Sequence, residues 1–351
     1  MMDTFNNRPQ QGFSLVELLV SIVIGLLLVV GVLQAFVSSK ETYTMQSGLA
    51  KLQENGRFAM SFLTRDLRQA GYSGCSRNTD IVNTLRDASG ALPSYLDFSS
   101  SIGGQDNTSG LVLDGRTALT GTDVVEVRFA DTGGGCDLEI GKHNVNSATL
   151  KCQVNHNFQQ GDILAVTDCQ TTAIFQQSNV NNNGTISTIV HNTGNGTDIG
   201  NCTNFLGSPV SCPSGTKYAF NTGSVLRMNF YRYFVANNDF GEPALYRQRI
   251  ENNAGVTETT VRELVEGVEN MQVLYGEDTD GDGAVDYYVP FDEVADDDDV
   301  IGIRVSLLIR SSENSIVRDG QTVAYNDSNT PFDDGRLRKV FTTTIALRNR
   351  L

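Results

Sequence analysis

Hydrophobic and polar positions divide this chain into three regimes. The first is GFSLVELLVSIVIGLLLVVGVLQAFV, Gly12 to Val37, which is apolar except for one ionisable side chain, Glu17. At about 1.5 Å per residue a helix over 13–37 reaches roughly 37 Å, enough to cross a hydrocarbon core of about 30 Å. The run is too long for a cleaved secretory signal, and no small-residue cleavage site follows it. The second regime, SSKETYTMQSGLAKLQENGRFAMSFLTRDLRQAGYSG, is polar, with Met45, Leu49, Leu52, Gly56, Met60, Leu63 and Leu67 three or four residues apart. That is the period of an amphipathic helix with one buried face. No proline occurs between Pro9 and Pro93, and Gly71 offers a stop, so one helix is expected from about Phe13 to Ala70.

The third regime changes period from 3.6 to 2. Runs rich in β-formers lie at 121–130, 148–154, 162–168, 185–190, 224–236, 269–276, 300–310 and 340–348, separated by turn residues, in a chain with 34 glycines. The fold class is therefore α+β: a long N-terminal helix packed on a mostly antiparallel sheet domain. The segment 178–217 is poor in apolar residues and heavy in Asn, Gly, Ser and Thr, and is expected to be an extended surface loop around one strand. Its sequons at Asn183, Asn195 and Asn201 read as loop chemistry.

A net charge of −15, with no basic stripe and no tryptophan among the 351 residues, argues against nucleic acid as a direct ligand. The six cysteines, Cys75, Cys136, Cys152, Cys169, Cys202 and Cys212, all follow the apolar stretch and form no C-x-x-C pair. An even set without zinc-site spacing suggests disulfides in an oxidising compartment. Six cysteines allow fifteen pairings. Cys202 with Cys212 is the favoured pair, because it closes a short loop.

No nucleophile motif, zinc-protease motif or phosphate loop appears, so no enzyme is expected. His143, His156 and His191 all fall in polar, loop-like context. The strongest chemical motif is D-T-D-G-D-G-A-V-D at 278–286. Asp278, Asp280, Asp282 and Asp286 occupy the first, third, fifth and ninth positions, Gly283 the turning sixth, and Ala284 could offer a carbonyl. Hard oxygen donors at this spacing favour Ca²⁺. Val289 stands at the twelfth position in place of glutamate, so the loop is not a full EF-hand. The acidic run Asp296 to Asp299 reads as a solvated loop.

Glu17 still needs a reason, since a charge within the bilayer costs roughly 2.5–3.5 kcal/mol on insertion scales. Gly12-Phe13-Ser14-Leu15-Val16-Glu17 resembles the class III signal of type IV pilins and type II secretion pseudopilins. The resemblance implies cleavage after Gly12 by a prepilin peptidase, which would remove residues 1–12, and methylation of Phe13. It makes Glu17 the partner of a neighbouring subunit's N-terminal amine. With FLTRDLRQAGYSGC (62–75) and VLYGEDTDGDGAVDYY (273–288), the chain resembles the PilW-like minor pilins. The implied organisation is a leader at 1–12, a transmembrane half at 13–37, an amphipathic half at 38–71 and a periplasmic domain at 72–351. The implied partners are other minor pilins, the major pilin and a tip adhesin. The implied role is priming of pilus assembly, first in the inner membrane and then at the pilus tip. Major pilins often carry a proline in the membrane half of the helix, and its absence here suggests a specialised subunit. The related alternative is a J-type pseudopilin, whose chains are usually shorter. A reading from another class is an anchored periplasmic Ca²⁺-dependent binder or enzyme.

Overall fold

The computed structural model describes residues 12–75, 79–131, 133–152, 156–183, 186–194, 198–314, 316–317 and 320–350, with only the main chain described at 180–183. The leader, apart from Gly12, and the Asn195 sequon lie outside the described residues.

The helix, α1, runs unbroken from Leu15 to Leu67. Its N-terminal half touches nothing in the domain, and the most apolar window of the helix has none of its residues buried. Its C-terminal half turns Leu52, Gly56, Ala59, Leu63, Asp66 and Leu67 inward, at the expected spacing. Met45 is exposed, contrary to the amphipathic reading, because the domain covers the helix only from about Gly48 onward. The helix stops at Leu67, slightly earlier than expected. A short turn leads to Gly71 at φ +76°, and the Gly71 N–H donates to the carbonyl of Arg128 at 3.1 Å. A positive φ is what glycine supplies without strain.

Two sheets enclose this half-helix. The first is four-stranded and wholly antiparallel, in the order Tyr287–Val289, Val268–Glu277, Val300–Arg310, Arg338–Ala346. Its inward side chains Val268, Met271, Val305, Leu307 and Ile345 form one core with Leu52, Ala59, Leu63 and Leu67 of the helix. Each fully buried leucine of that set contributes roughly 1.5–3 kcal/mol.

The second sheet has nine strands. Its main path is Asp80–Asn83, Thr171–Gln176, Ile163–Thr167, Ser224–Asn237, Pro243–Asn253 and Val256–Glu266. Only the Asp80–Asn83 and Thr171–Gln176 pair is parallel. Val124–Ala130 pairs with the same central strand, Ser224–Asn237, and also with Ile102–Gln105. Tyr233, Val235 and Leu245 from this sheet close the helix core from the other side.

The eight expected strand regions are all present, with small shifts at their ends. Two long strands were not expected, Pro243–Asn253 and Val256–Glu266. Their charged residues mask the alternation, but those charges pair across the surface, as in Arg262 to Glu251 at 2.8 Å. Segment 178–217 is also more ordered than a loop around one strand. Asn179–Asn183 and Ile186–Val190 form a hairpin that pairs on to Thr149–Cys152. Asn201 is buried and donates to Gln176 O at 2.7 Å.

Candidate functional site

The residues that carry the functional reading fall in four places. The first is the start of α1. Ser14 is extended, and its carbonyl accepts the Leu18 N–H at 3.1 Å, which opens the helix. Gly12 and Phe13 precede it in extended chain, and the Phe13 side chain is 81 % exposed. Glu17 lies in the first helical turn, where a negative charge suits the positive end of the helix dipole. Its backbone carbonyl accepts Ser21 Oγ at 2.7 Å, but its carboxylate has no partner among the described residues. The domain therefore does nothing to neutralise Glu17.

The second is the seat of the helix on the domain. Asp66 is 1 % exposed. Its carboxylate accepts the Tyr233 hydroxyl, Arg247 Nη1 at 3.0 Å and Arg65 Nε at 2.8 Å. Burial, then the charge of Asp66, raises the Tyr233 hydroxyl pKa, so Tyr233 is fixed as a donor. Asn55 Nδ2 reaches Glu266 O at 3.1 Å, and Asn349 Nδ2 reaches the carbonyls of Gln69 and Ala70 at 3.4 and 3.3 Å. The periodicity of the helix marks position 66 as inward-facing, but nothing in the local sequence names Tyr233 and Arg247 as its partners.

The third is the acidic turn between Val268–Glu277 and Tyr287–Val289. Asp278, Asp280 and Asp286 each bring one carboxylate oxygen within 4.8 Å of the others. The buried Asp278 accepts N–H groups from Gly281, Asp282 and Gly283 at 2.8, 3.1 and 2.8 Å. Gly281 and Gly283 hold φ of +74° and +84°, which lets the loop curl around that carboxylate. The Thr279 hydroxyl and N–H both donate to Asp286 and hold it below the usual carboxylate range. Asp282 stands outside the convergent set, with Oδ1 accepting the Ala284 N–H at 2.8 Å. The acidic run beside it is tied in, since Asp278 N–H donates to Asp299 O at 2.9 Å. The run is also anchored by Glu277, whose buried carboxylate accepts the N–H groups of Ala295 and Asp296.

The fourth is the set of cysteines, which are joined as Cys75–Cys169, Cys136–Cys152 and Cys202–Cys212. The favoured pair is present. Cys136 and Cys152 lie close to His156, but sulfurs joined to each other are not thiolate metal ligands. The histidines correct the sequence reading. His191 is 1 % exposed, with its ring 5.3 Å from Phe175 and 5.6 Å from His143. Its backbone N–H donates to Ala148 O at 3.0 Å, because it continues the Ile186–Val190 strand inward rather than leaving the sheet. Burial lowers the pKa of His191 to about 3 and that of His143 to about 4.

The model of the prokaryotic N-terminal methylation motif matches residues 7–33, which include Gly12, Phe13 and Glu17. The model of type IV pilus-assembly protein W matches residues 232–349. That span covers the long charged strands, the helix-bound sheet and the acidic turn. Together the two matches, over about two fifths of the chain, support a type IV pilus minor pilin of the PilW family. No curated protein and no solved structure matches it. The methylation motif and the apolar N-terminal helix support a chain that is anchored in the inner membrane and incorporated into the pilus. Its motif is the substrate signal of prepilin peptidase, and its role lies in pilus assembly alongside other pilus components. The family assignment points to a structural rather than a catalytic protein.

Proposed function

We propose that this minor pilin primes type IV pilus assembly and sits at the pilus tip with other minor pilins and an adhesin. The observation that carries the proposal is Glu17: an ionisable side chain on a membrane-length helix, with no partner for its carboxylate among the described residues. Two opposite charges in the bilayer cost much less together than apart, so an incoming subunit's terminal amine is drawn to that position. The domain supplies a rigid seat for the helix and outward faces for partners, and no catalytic group is needed. The test is a count of surface pili in a strain lacking this chain, with and without the retraction motor. Pili that vanish, or return only when retraction is blocked, support priming. Unchanged pili in both backgrounds would remove the reading.

We also propose Ca²⁺ as the occupant of the 278–286 turn. Support comes from the convergence of three carboxylates and from the hardness of their oxygen donors. Asp278, Asp280 and Asp286 would form the primary set, with Asp282 and the Ala284 carbonyl completing it. Calorimetric titration of the full chain in detergent should give heat on adding Ca²⁺, and Asp280→Ala should lose it. No heat in the parent chain would dismiss the ion.

A further inference from the structure

The helix-bound sheet ends on Arg338–Ala346, and the register of that strand shows which main-chain groups are spent. Ser311 N–H donates to Leu337 O and Leu347 N–H to Ile301 O, both at 2.8 Å. Odd-numbered residues from 337 to 347 therefore bond inward to Val300–Arg310, and even-numbered residues point their N–H and C=O outward. At Arg338 the outward pair is closed by one side chain. Gln321 Oε1 accepts the Arg338 N–H at 2.7 Å, and Gln321 Nε2 donates to Arg338 O at 2.8 Å. Beyond it, Val340, Thr342, Thr344 and Ala346 have no partner for their main-chain groups among the described residues. Thr342, Thr344 and Ala346 are also exposed.

Open edges are normally blunted by short length, bulges, proline or charge. The other outer strands of the two sheets show such devices. Asp80–Asn83 has four residues and Tyr287–Val289 three. Val256–Glu266 carries a register shift against its partner, together with Glu258, Arg262 and Glu263. The Arg338–Ala346 edge has none of these over its open part. Its pairing to the neighbouring strand is continuous for nine residues, and VFTTTIA contains no charge and no proline. The charges stand at its two ends, Lys339 and Arg348, both exposed. Lys339 lies over the Phe341 ring, and neither cation is ion-paired among the described residues.

We propose that this edge receives an extended, uncharged β-forming segment with acidic residues at its ends, contributed by a different protein. The segment adds as a strand beside Val340–Ala346, and its main-chain groups satisfy those left open. Its acidic ends meet Lys339 and Arg348. A second copy of this strand is a poor occupant. Antiparallel self-pairing centred on Thr343 would set each copy's Arg348 opposite the other's Arg338 and Lys339 opposite Leu347, so neither end cation would meet an acidic group and two arginines would face each other. The inference rests on the reading above that the chain assembles with other subunits, and it adds where and by what chemistry.

The probe is a synthetic heptapeptide of alternating Thr and Val with Glu at both ends, added to the full chain in detergent micelles. Hydrogen–deuterium exchange over 338–347 is read by mass spectrometry. The expected result is about tenfold slower exchange of the four outward amides, with about tenfold weaker binding of a Lys-ended peptide. Thr344→Pro should abolish the protection, since it removes an N–H that the native sheet does not use. Should that variant fail to fold, the exposed pair Lys339→Glu with Arg348→Glu serves instead, and should reverse the preference between the two peptides. Unchanged exchange, equal action of both peptides, or self-association that Thr344→Pro abolishes would overturn the proposal. In cells, pili lost with Glu17→Ala but normal with both edge variants would refute the edge and leave the assembly role standing. Pili normal with all three would bring down the assembly role itself.

Discussion

Asp66 is the position where one substitution should separate the helix from its domain. Asp66→Ala removes the acceptor of the fully buried Tyr233 hydroxyl and of the largely buried Arg247 guanidinium. Arg65 also loses its partner, but its side chain is mostly exposed and that loss is minor. Removing one member of a buried charged pair typically costs about 3–5 kcal/mol, because the other charge stays buried and uncompensated. A domain of ordinary stability has only about 5–15 kcal/mol in total. The assay is urea unfolding of the full chain in detergent, comparing midpoints at constant slope. A second variant isolates the cause. Combining Asp66→Leu with Arg247→Met replaces the pair by apolar side chains, and such replacements are often neutral or better. Most of the lost stability should therefore return. A loss under about 1 kcal/mol for Asp66→Ala, or a double variant no better than the single one, would refute the reasoning.

The other predictions concern burial, pH and covalent closure. A Cβ on Gly56 would fall 2.3 to 2.6 Å from atoms of the Phe341 ring, so Gly56→Ala should cost about 1–3 kcal/mol in the same assay, and Phe341→Leu should recover part of it. Protonating the buried His191 opposes folding: the unfolded chain takes up the proton near pH 6.5 and the folded chain only near pH 3. Stability should thus fall as the pH drops below about 6.5, by on the order of 3 kcal/mol at pH 4. Asp123, pushed up to about 6 by burial, acts in the opposite direction, so the test is a flatter stability–pH curve for His191→Phe than for the parent. Loops of 94 and 10 residues are closed by Cys75–Cys169 and Cys202–Cys212, so in the chain-entropy account replacing both cysteines of each pair by Ser should cost about 4–5 and about 2.5–3 kcal/mol. The reverse order would count against that account.

What the sequence discloses here follows from periodicity and local chemistry. The helix is legible because an unbroken apolar run of membrane length passes, with no proline between, into a segment whose apolar positions from Leu49 to Leu67 fall three or four residues apart. The acidic turn is legible because its ligand spacing and its glycines lie within nine residues. Pro243–Asn253 and Val256–Glu266 are not, since their charges find partners distant in sequence, Glu251 with Arg262 across the hairpin and Arg247 with Asp66 on the helix. One local signal was available: Ala254-Gly255, at φ +51° and +97°, is a two-residue hairpin turn of the kind glycine announces. His191 could not be placed inside from its neighbours, because what buries it is Phe175 and His143, elsewhere in the chain. The open edge at Val340–Ala346 depends on sheet order, and local patterning does not contain sheet order.

The buried face of the helix explains why a charge belongs at position 66. Leu52, Gly56, Ala59, Leu63 and Leu67 repeat at nearly equal steps, and a smooth apolar stripe of that kind admits sliding by one turn, about 5.4 Å, with modest loss of contact. Asp66 does not admit it, because one turn away it would meet neither Tyr233 nor Arg247. Asn55 and Asn349 pin the same register from either end of the contact. Forty-nine residues separate Glu17 from Asp66, about 73 Å of helix at 1.5 Å per residue. A slip of one turn in the domain would shift Glu17 by the same 5.4 Å relative to every outward face of the domain. The docking proposed above, by a charge at one end of the helix and by main-chain pairing at the other, requires those two points to be held at a fixed separation. Helix–domain contacts made only of hydrocarbon would not hold it. The polar contacts at Asp66, Asn55 and Asn349 do, which is the physical reason to keep a buried carboxylate where leucine would pack.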